Sequence, residues 1–298
     1  MIRPGWAPPL TLLALLAACS HGPPPPEALC QARRAADAPA EVLPEEWAAL
    51  LLHGYDPRTQ ALTGAALDCT GAPVAWSEVD DACAVREEPP PKPLPRRGPP
   101  PAVVATLSER DRLVWMPVLG TADGDALGPL ALVRVDPGAL AVVALGTARG
   151  APDRASLRLE RLGGVDVALL EGQRCQGSVC QRPVRLVPQR GRRFIGEPFT
   201  TLTGTCAGPA IVWAHRQLER SGGPGITRVF ELDSTLNPGP AVLAVHEQLS
   251  IRERDPNAPG GAGNVVRRAQ DDRSITLDGG RMRVDHPSLW TRLEDFLR

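Results

Sequence analysis

Beyond residue 102, apolar and polar positions alternate in short runs separated by turn residues, a period of two that belongs to strands. The runs 130–135 and 139–145 flank Asp136-Pro137-Gly138-Ala139, a type II turn signature. Both are apolar on either face, which predicts central, covered strands. The runs 157–162 and 165–170 flank Gly163-Gly164, a two-residue hairpin loop that pairs Leu159 with Ala168 and sets Arg161 opposite Asp166. Gly279-Gly280 does the same for 274–278 and 281–285, pairing Leu277 with Met282 and Ile275 with Val284. Tight turns without alternating long helices predict a mainly β fold: an antiparallel, hairpin-rich sheet, closed as a barrel or layered as a sandwich.

Helical signals are confined to the two ends. Pro26 and Glu27, followed by Arg33 and Arg34, carry charges that suit the dipole of a short helix. A second helix is predicted from Pro44, with Glu45 and Glu46 in its first turn, Trp47, Leu50 and Leu51 on one face and Gly54 as its stop. Leu289, Trp290, Leu293, Phe296 and Leu297 fall at helical spacing and predict an amphipathic C-terminal helix that caps the sheet. No period holds over 55–85, which reads as loop. Residues 89–101 contain eight prolines and are expected to be extended and exposed.

Three long strands, about 210–219, 226–235 and 241–253, predict a meander. Strict alternation places Ile211, Trp213, His215 and Gln217 on one face. Matching the apolar faces pairs Trp213 with Leu232 and Leu243, then His215 with Phe230 and Val245, and then Gln217 with Arg228 and Glu247. That last row is polar on an otherwise apolar face. One reading makes Arg228 and Glu247 a satisfied core ion pair. The other makes Gln217, Arg228 and Glu247, with His215 and Trp213, the polar anchors of a ligand cavity.

Composition narrows the function more than it identifies it. The formal charge of −1 offers no electrostatic case for nucleic acid binding. Lys92 is the only lysine, a bias expected of a GC-rich coding sequence. Asp123-Gly124-Asp125 stops short of a calcium loop and reads as a surface turn. Gly260-Gly261-Ala262-Gly263 opens no phosphate-binding unit, His246-Glu247 lacks the second histidine of a zincin helix, and no GxSxG or SxxK occurs. No catalytic residue, metal ligand or cofactor is assigned.

The leader supplies the address. Arg3 precedes an apolar run over 10–18 that is too short to span a bilayer and ends in Leu16-Ala17-Ala18-Cys19. This stretch resembles the lipobox of bacterial lipoproteins. The resemblance covers only the leader and implies cleavage before Cys19 and acylation of its thiol. Ser20, where an aspartate would retain such proteins at the inner membrane, implies the outer membrane.

In an exported protein the remaining cysteines, Cys30, Cys69, Cys83, Cys175, Cys180 and Cys206, suggest three disulfides, with 15 pairings open. Three precede the proline-rich stretch and three follow it, so full internal pairing requires a bridge between the halves. Cys69–Cys83, Cys175–Cys180 and Cys30–Cys206 is the preferred set.

The expected organisation is a signal peptide (1–18), an acylated proline-rich tether (19–26), a helical and loop segment (27–101) and an antiparallel β domain (102–298). The expected function is a non-enzymatic envelope lipoprotein with a structural or assembly role. Its partners would be the membrane, through the N-terminal lipid, and an envelope protein. The alternative is a carrier for an apolar small molecule or lipid.

Overall fold

The computed structural model describes residues 27–293, apart from 36–38, 40, 57, 95–98, 177–178, 224 and 255–262. Cys19, its leader and tether, and the last five residues therefore lie outside the described residues.

The chain is mainly β, as its alternation predicts. The first part comprises β1 (Cys30–Arg33), α1 (Pro44–Leu51), β2 (Leu52–Asp56), β3 (Ala61–Asp68), β4 (Lys92–Pro93), β5 (Val103–Thr106), β6 (Asp111–Trp115), β7 (Leu119–Gly120), β8 (Ala126–Asp136) and β9 (Ala139–Gly150). It continues through β10 (Asp153–Leu162), β11 (Val165–Gln176), β12 (Val179–Arg190), β13 (Arg193–Phe194) and β14 (Thr200–Thr201). Last come β15 (Ile211–Gly223), β16 (Ile226–Pro238), β17 (Val242–Arg254), β18 (Asn264–Asp278) and β19 (Arg281–Val284).

Two antiparallel ladders result. One runs β5-β6-β8-β9, with β7 and β4 beside one end of β8 and β1 along the far edge of β9. The other runs β10-β11-β12-β15-β16-β17-β18-β19, ending in a parallel pairing with β14. The short strand β13 joins them, antiparallel to β12 and parallel to β9. No ring of pairings closes among the described residues, so the barrel alternative falls. The ladders instead pack through Trp115, Leu130 and Ala148 of one against Ala168, Leu170 and Val187 of the other.

The three predicted turns close hairpins, and the two at Gly163-Gly164 and Gly279-Gly280 form in the predicted registers. Leu159 faces Ala168, Arg161 faces Asp166, Leu277 faces Met282 and Ile275 faces Val284. Gly163, Gly164, Gly279 and Gly280 all have positive φ, as a tight two-residue loop demands.

The helical expectations divide. Residues Pro44–Leu51 are helical, with Pro44 in the first turn and Trp47, Leu50 and Leu51 buried, although Gly54 lies inside β2 rather than at the helix end. The helix expected near Pro26 is replaced by β1, whose residues pair with 139–142. A free edge on β9 supplies a full ladder of backbone hydrogen bonds, and this outweighs favourable end charges on a very short helix. The C-terminal helix is not confirmed. Residues 289–293 form turns, while Leu289, Trp290 and Leu293 do bury themselves against the second sheet. Within 55–85 the chain also makes the β2–β3 hairpin, which the aperiodic sequence conceals.

The disulfides are Cys30–Cys69, Cys83–Cys206 and Cys175–Cys180. The required bridge between the halves is present, but as Cys83–Cys206. The preferred Cys69–Cys83 and Cys30–Cys206 pairs exchange partners because the β2–β3 hairpin brings Cys69 beside β1. Three bridges fit an oxidising compartment outside the cytoplasm. Among the described residues no helix is long and apolar enough to cross a membrane.

Candidate functional site

The predicted polar row does not assemble. β12 pairs Arg182 with His215 but the next residue, Pro183, with Trp213, so Ala214 is an extra residue on β15. Such a bulge reverses the side-chain alternation that follows it. Trp213 stays with the interior group of Phe230, Leu232 and Leu249, while His215 and Gln217 turn to the opposite face. Arg216 takes the interior place beside Trp213. From there on, His215 faces Asp233, Gln217 faces Glu231, and Leu232 faces Leu249 rather than Leu243.

The proposed anchors are consequently dispersed. Arg228 lies near the hairpin end, where its Nε is 2.8 Å from Glu253. Glu247 is buried, as expected of a core-facing position, but its partner is Arg273, whose Nε lies 2.8 Å away. Ser288 Oγ and the Leu289 amide also donate to the Glu247 carboxylate. Gln217 accepts a hydrogen bond from Gln181 Nε2 through its backbone carbonyl.

His215 Nδ1 lies 2.8 Å from Asp233 Oδ1 on the solvated face. With Glu231, these residues bring three potential metal ligands within 4.8 Å of one another. Glu231 is already engaged with Arg252, at 3.4 Å.

The densest charged constellation lies elsewhere, where the two sheets meet beneath the strap 77–88. Asp123 and Asp125 come from the turn before β8, Arg149 from the end of β9, Arg174 from β11 and Arg185 from β12, with Glu78 and Glu88 from the strap. Arg149 is only 2 % exposed and contacts four carboxylates: Asp123 at 2.7 Å, Glu88 at 2.8 Å, Asp125 at 3.1 Å and Glu78 at 3.6 Å. Arg174 reaches Asp123 at 3.0 Å, and Arg185, also buried, reaches Glu78 at 2.7 Å. Cys83–Cys206 pins the strap across the group.

The electrostatics follow from this packing. Burial would raise the Asp123 carboxyl, but the Thr121 hydroxyl hydrogen bond and the charges of Arg149 and Arg174 outweigh it and hold the group at about 2. Burial likewise opposes the charge of Arg149. Its hydrogen bonds to Glu88 and the surrounding carboxylates prevail, so the guanidinium is held more firmly protonated than usual. Arg216 differs. Its guanidinium lies 4.3 Å from the Trp213 ring centroid and 4.4 Å from that of Trp290, and desolvation lowers its pKa to about 10.

A cavity of about 70 Å³ lies against Glu78, Asp123, Asp125, Arg149, Arg174 and Arg185, and Asp81, Arg86, Trp213 and Arg216 are also in its lining. No serine, cysteine or histidine lines it, and its ionisable groups are carboxylates and guanidiniums. Asp123-Gly124-Asp125, expected as a surface turn, is a turn whose Asp125 is only 5 % exposed. Little in the sequence marks the cluster, since its members are far apart in the chain and meet only through sheet packing.

No protein-family model matches the chain, and no curated protein or solved structure is significantly similar to it.

Proposed function

We propose that this protein is a lipid-anchored lipoprotein of the cell envelope, held at the outer membrane through Cys19, with a structural or assembly role and no catalytic one. The observation that carries the reading is the use of buried charge. Arg149, Arg185, Glu78 and Asp125 tie both sheets and the strap together, and each guanidinium faces a carboxylate. Groups matched in this way hold elements in place.

The oxidised cysteines agree with export, and the leader supplies the anchor. The test is fractionation with intact-mass analysis. Wild-type protein should sediment with membranes and carry acyl mass on Cys19, whereas Cys19→Ala should be released or remain unprocessed. Cells lacking the protein should lose envelope barrier function, read as detergent sensitivity. An unmodified mature Cys19, or a barrier unaffected by deletion, would overturn the reading.

A second reading, a carrier for an apolar molecule, is favoured by one observation. A groove of about 280 Å³ with no charged side chain in its lining opens between β3, β4 and β7.

A further inference from the structure

Among the described residues, two guanidiniums in the lining of the charged cavity lack the close partner that the others have. Arg149, Arg174 and Arg185 hold a carboxylate at 2.7, 3.0 and 2.7 Å respectively. Arg216 has none nearer than Asp81 at 3.7 Å, beyond hydrogen-bond distance. Arg86 has none nearer than Glu88 and Asp123, both at 3.9 Å, and each of these already accepts from Arg149. Both side chains remain reachable, Arg216 at 21 % exposure and Arg86 at 49 %. Trp213 and Trp290 attract the Arg216 charge through their ring faces but offer its N–H groups no oxygen. Desolvation lowers the Arg216 pKa to about 10; Asp81 opposes that shift, and Arg174 and Arg86 add to it. The group is still charged at neutral pH, and a charge so far removed from water is costly until an anion pairs with it.

The surplus charge indicates the class of that anion. Asp80, also in the lining, accepts the amides of Ala82 and Ala84 in its own loop. Arg86 and Arg216 therefore share one uncommitted carboxylate, Asp81, and one positive charge is left over. A monoanion balances it, whereas a phosphate dianion exceeds it. Size agrees: at about 10–15 Å³ for each water-sized atom, the 70 Å³ cavity admits about five heavy atoms, enough for an acetate-sized group. A planar carboxylate also matches the two-pronged edge of a guanidinium. We infer that this cavity binds a small monocarboxylate, with Arg216 of β15 as its principal donor and Arg86 of the strap as its second cation. The ligand would thus join the strap, which Cys83–Cys206 pins across the cavity, to the second sheet. This binding site goes beyond the structural role proposed above and does not depend on the lipid anchor.

The probe is acetate, titrated into the oxidised chain at neutral pH against chloride of the same ionic strength. The Arg216 Nε–H signal in ¹⁵N-labelled protein, assigned by its absence from Arg216→Lys, should shift saturably with acetate and not with chloride. Binding read from the acetate methyl signal by saturation transfer should weaken roughly tenfold or more in Arg216→Lys and in Arg86→Gln, since each removes a charge-assisted hydrogen bond. Arg86 is half exposed, so its variant carries the test should Arg216→Lys fail to fold. Asp81→Asn should bind acetate more tightly, because it removes the carboxylate that competes for Arg216. Inorganic phosphate should bind more weakly than acetate. An Arg216 signal that ignores acetate, or that answers chloride equally, would overturn the inference. So would an Asp81→Asn chain with no gain in affinity, Arg86→Gln binding as tightly as wild type, or phosphate binding as tightly as acetate.

Discussion

Arg273 Nε lies 2.8 Å from Glu247 Oε1, with the two side chains 5 % and 1 % exposed. The same carboxylate accepts from Ser288 Oγ and the Leu289 amide, each at 2.8 Å, so one buried anion holds β17, β18 and the C-terminal segment together. Removing it strands a buried guanidinium. Glu247→Ala should therefore destabilise by about 3–5 kcal/mol. Arg228 and Glu253 are 38 % and 31 % exposed, and Arg228→Ala should cost no more than about 1 kcal/mol. Urea denaturation of both variants checks the contrast, and equal losses would contradict the pairing.

The disulfides should differ in what they contribute. Their sequence separations are 123 for Cys83–Cys206, 39 for Cys30–Cys69 and 5 for Cys175–Cys180. The chain-entropy model then assigns about 5, 4 and 2 kcal/mol respectively. Paired replacement by serine should lower the urea midpoint in that order. Non-reducing peptide mapping checks the connectivity first, and a Cys69–Cys83 peptide would refute it.

Acid stability should depend on Asp123. Its folded pKa is depressed to about 2 from an ordinary 3.8. A depressed carboxylate contributes stability that is complete above its unfolded pKa and is lost as pH falls through the folded value. The loss should thus fall between about pH 4 and pH 2 and amount to about 2 kcal/mol. Asp123→Asn should be less stable at pH 7 and lose less on acidification. Parallel stability curves for the two proteins across that window would show that the carboxylate is not held in this way.

Gly146 faces Phe194 at the junction of the two sheets. A Cβ there would lie 2.1 Å from the Phe194 carbonyl oxygen, too close for any side chain. Gly146→Ala should push β13 from β9 and destabilise by about 1–3 kcal/mol, the usual cost of overfilling a packed site. Gly138→Ala, where added bulk meets open space but φ is +78°, should cost less. Thermal melts of the two variants test the order.

Local chemistry made much of this protein legible. Pro137-Gly138, Gly163-Gly164 and Gly279-Gly280 each determine a turn and, through the period of two, the register of the strands beside it. Pro44 with Glu45 and Glu46 determines α1. Three cysteines on either side of the proline-rich stretch require a bridge between the halves by arithmetic alone. Glu247 declares itself a buried anion because its neighbours Val245 and Leu249 face the core.

What the tertiary structure decided depends on contacts between residues far apart in the chain. The extra residue at Ala214 becomes visible only when β12 lies alongside, and it moves His215 and Gln217 away from Trp213 and puts Arg216 beside it. The partner of Glu247 is Arg273 because β18 is its neighbour, a pairing no alternation in β17 can reveal. β1 is a strand because β9 offers an edge, and Cys30 meets Cys69 because the β2–β3 hairpin carries Cys69 there. The Arg149 cluster gathers Glu78, Asp125 and Arg185 across 107 residues of sequence. A short-range pattern determines which way a side chain points along its own strand. Which charge it meets is a property of packing, and only the folded chain supplies it.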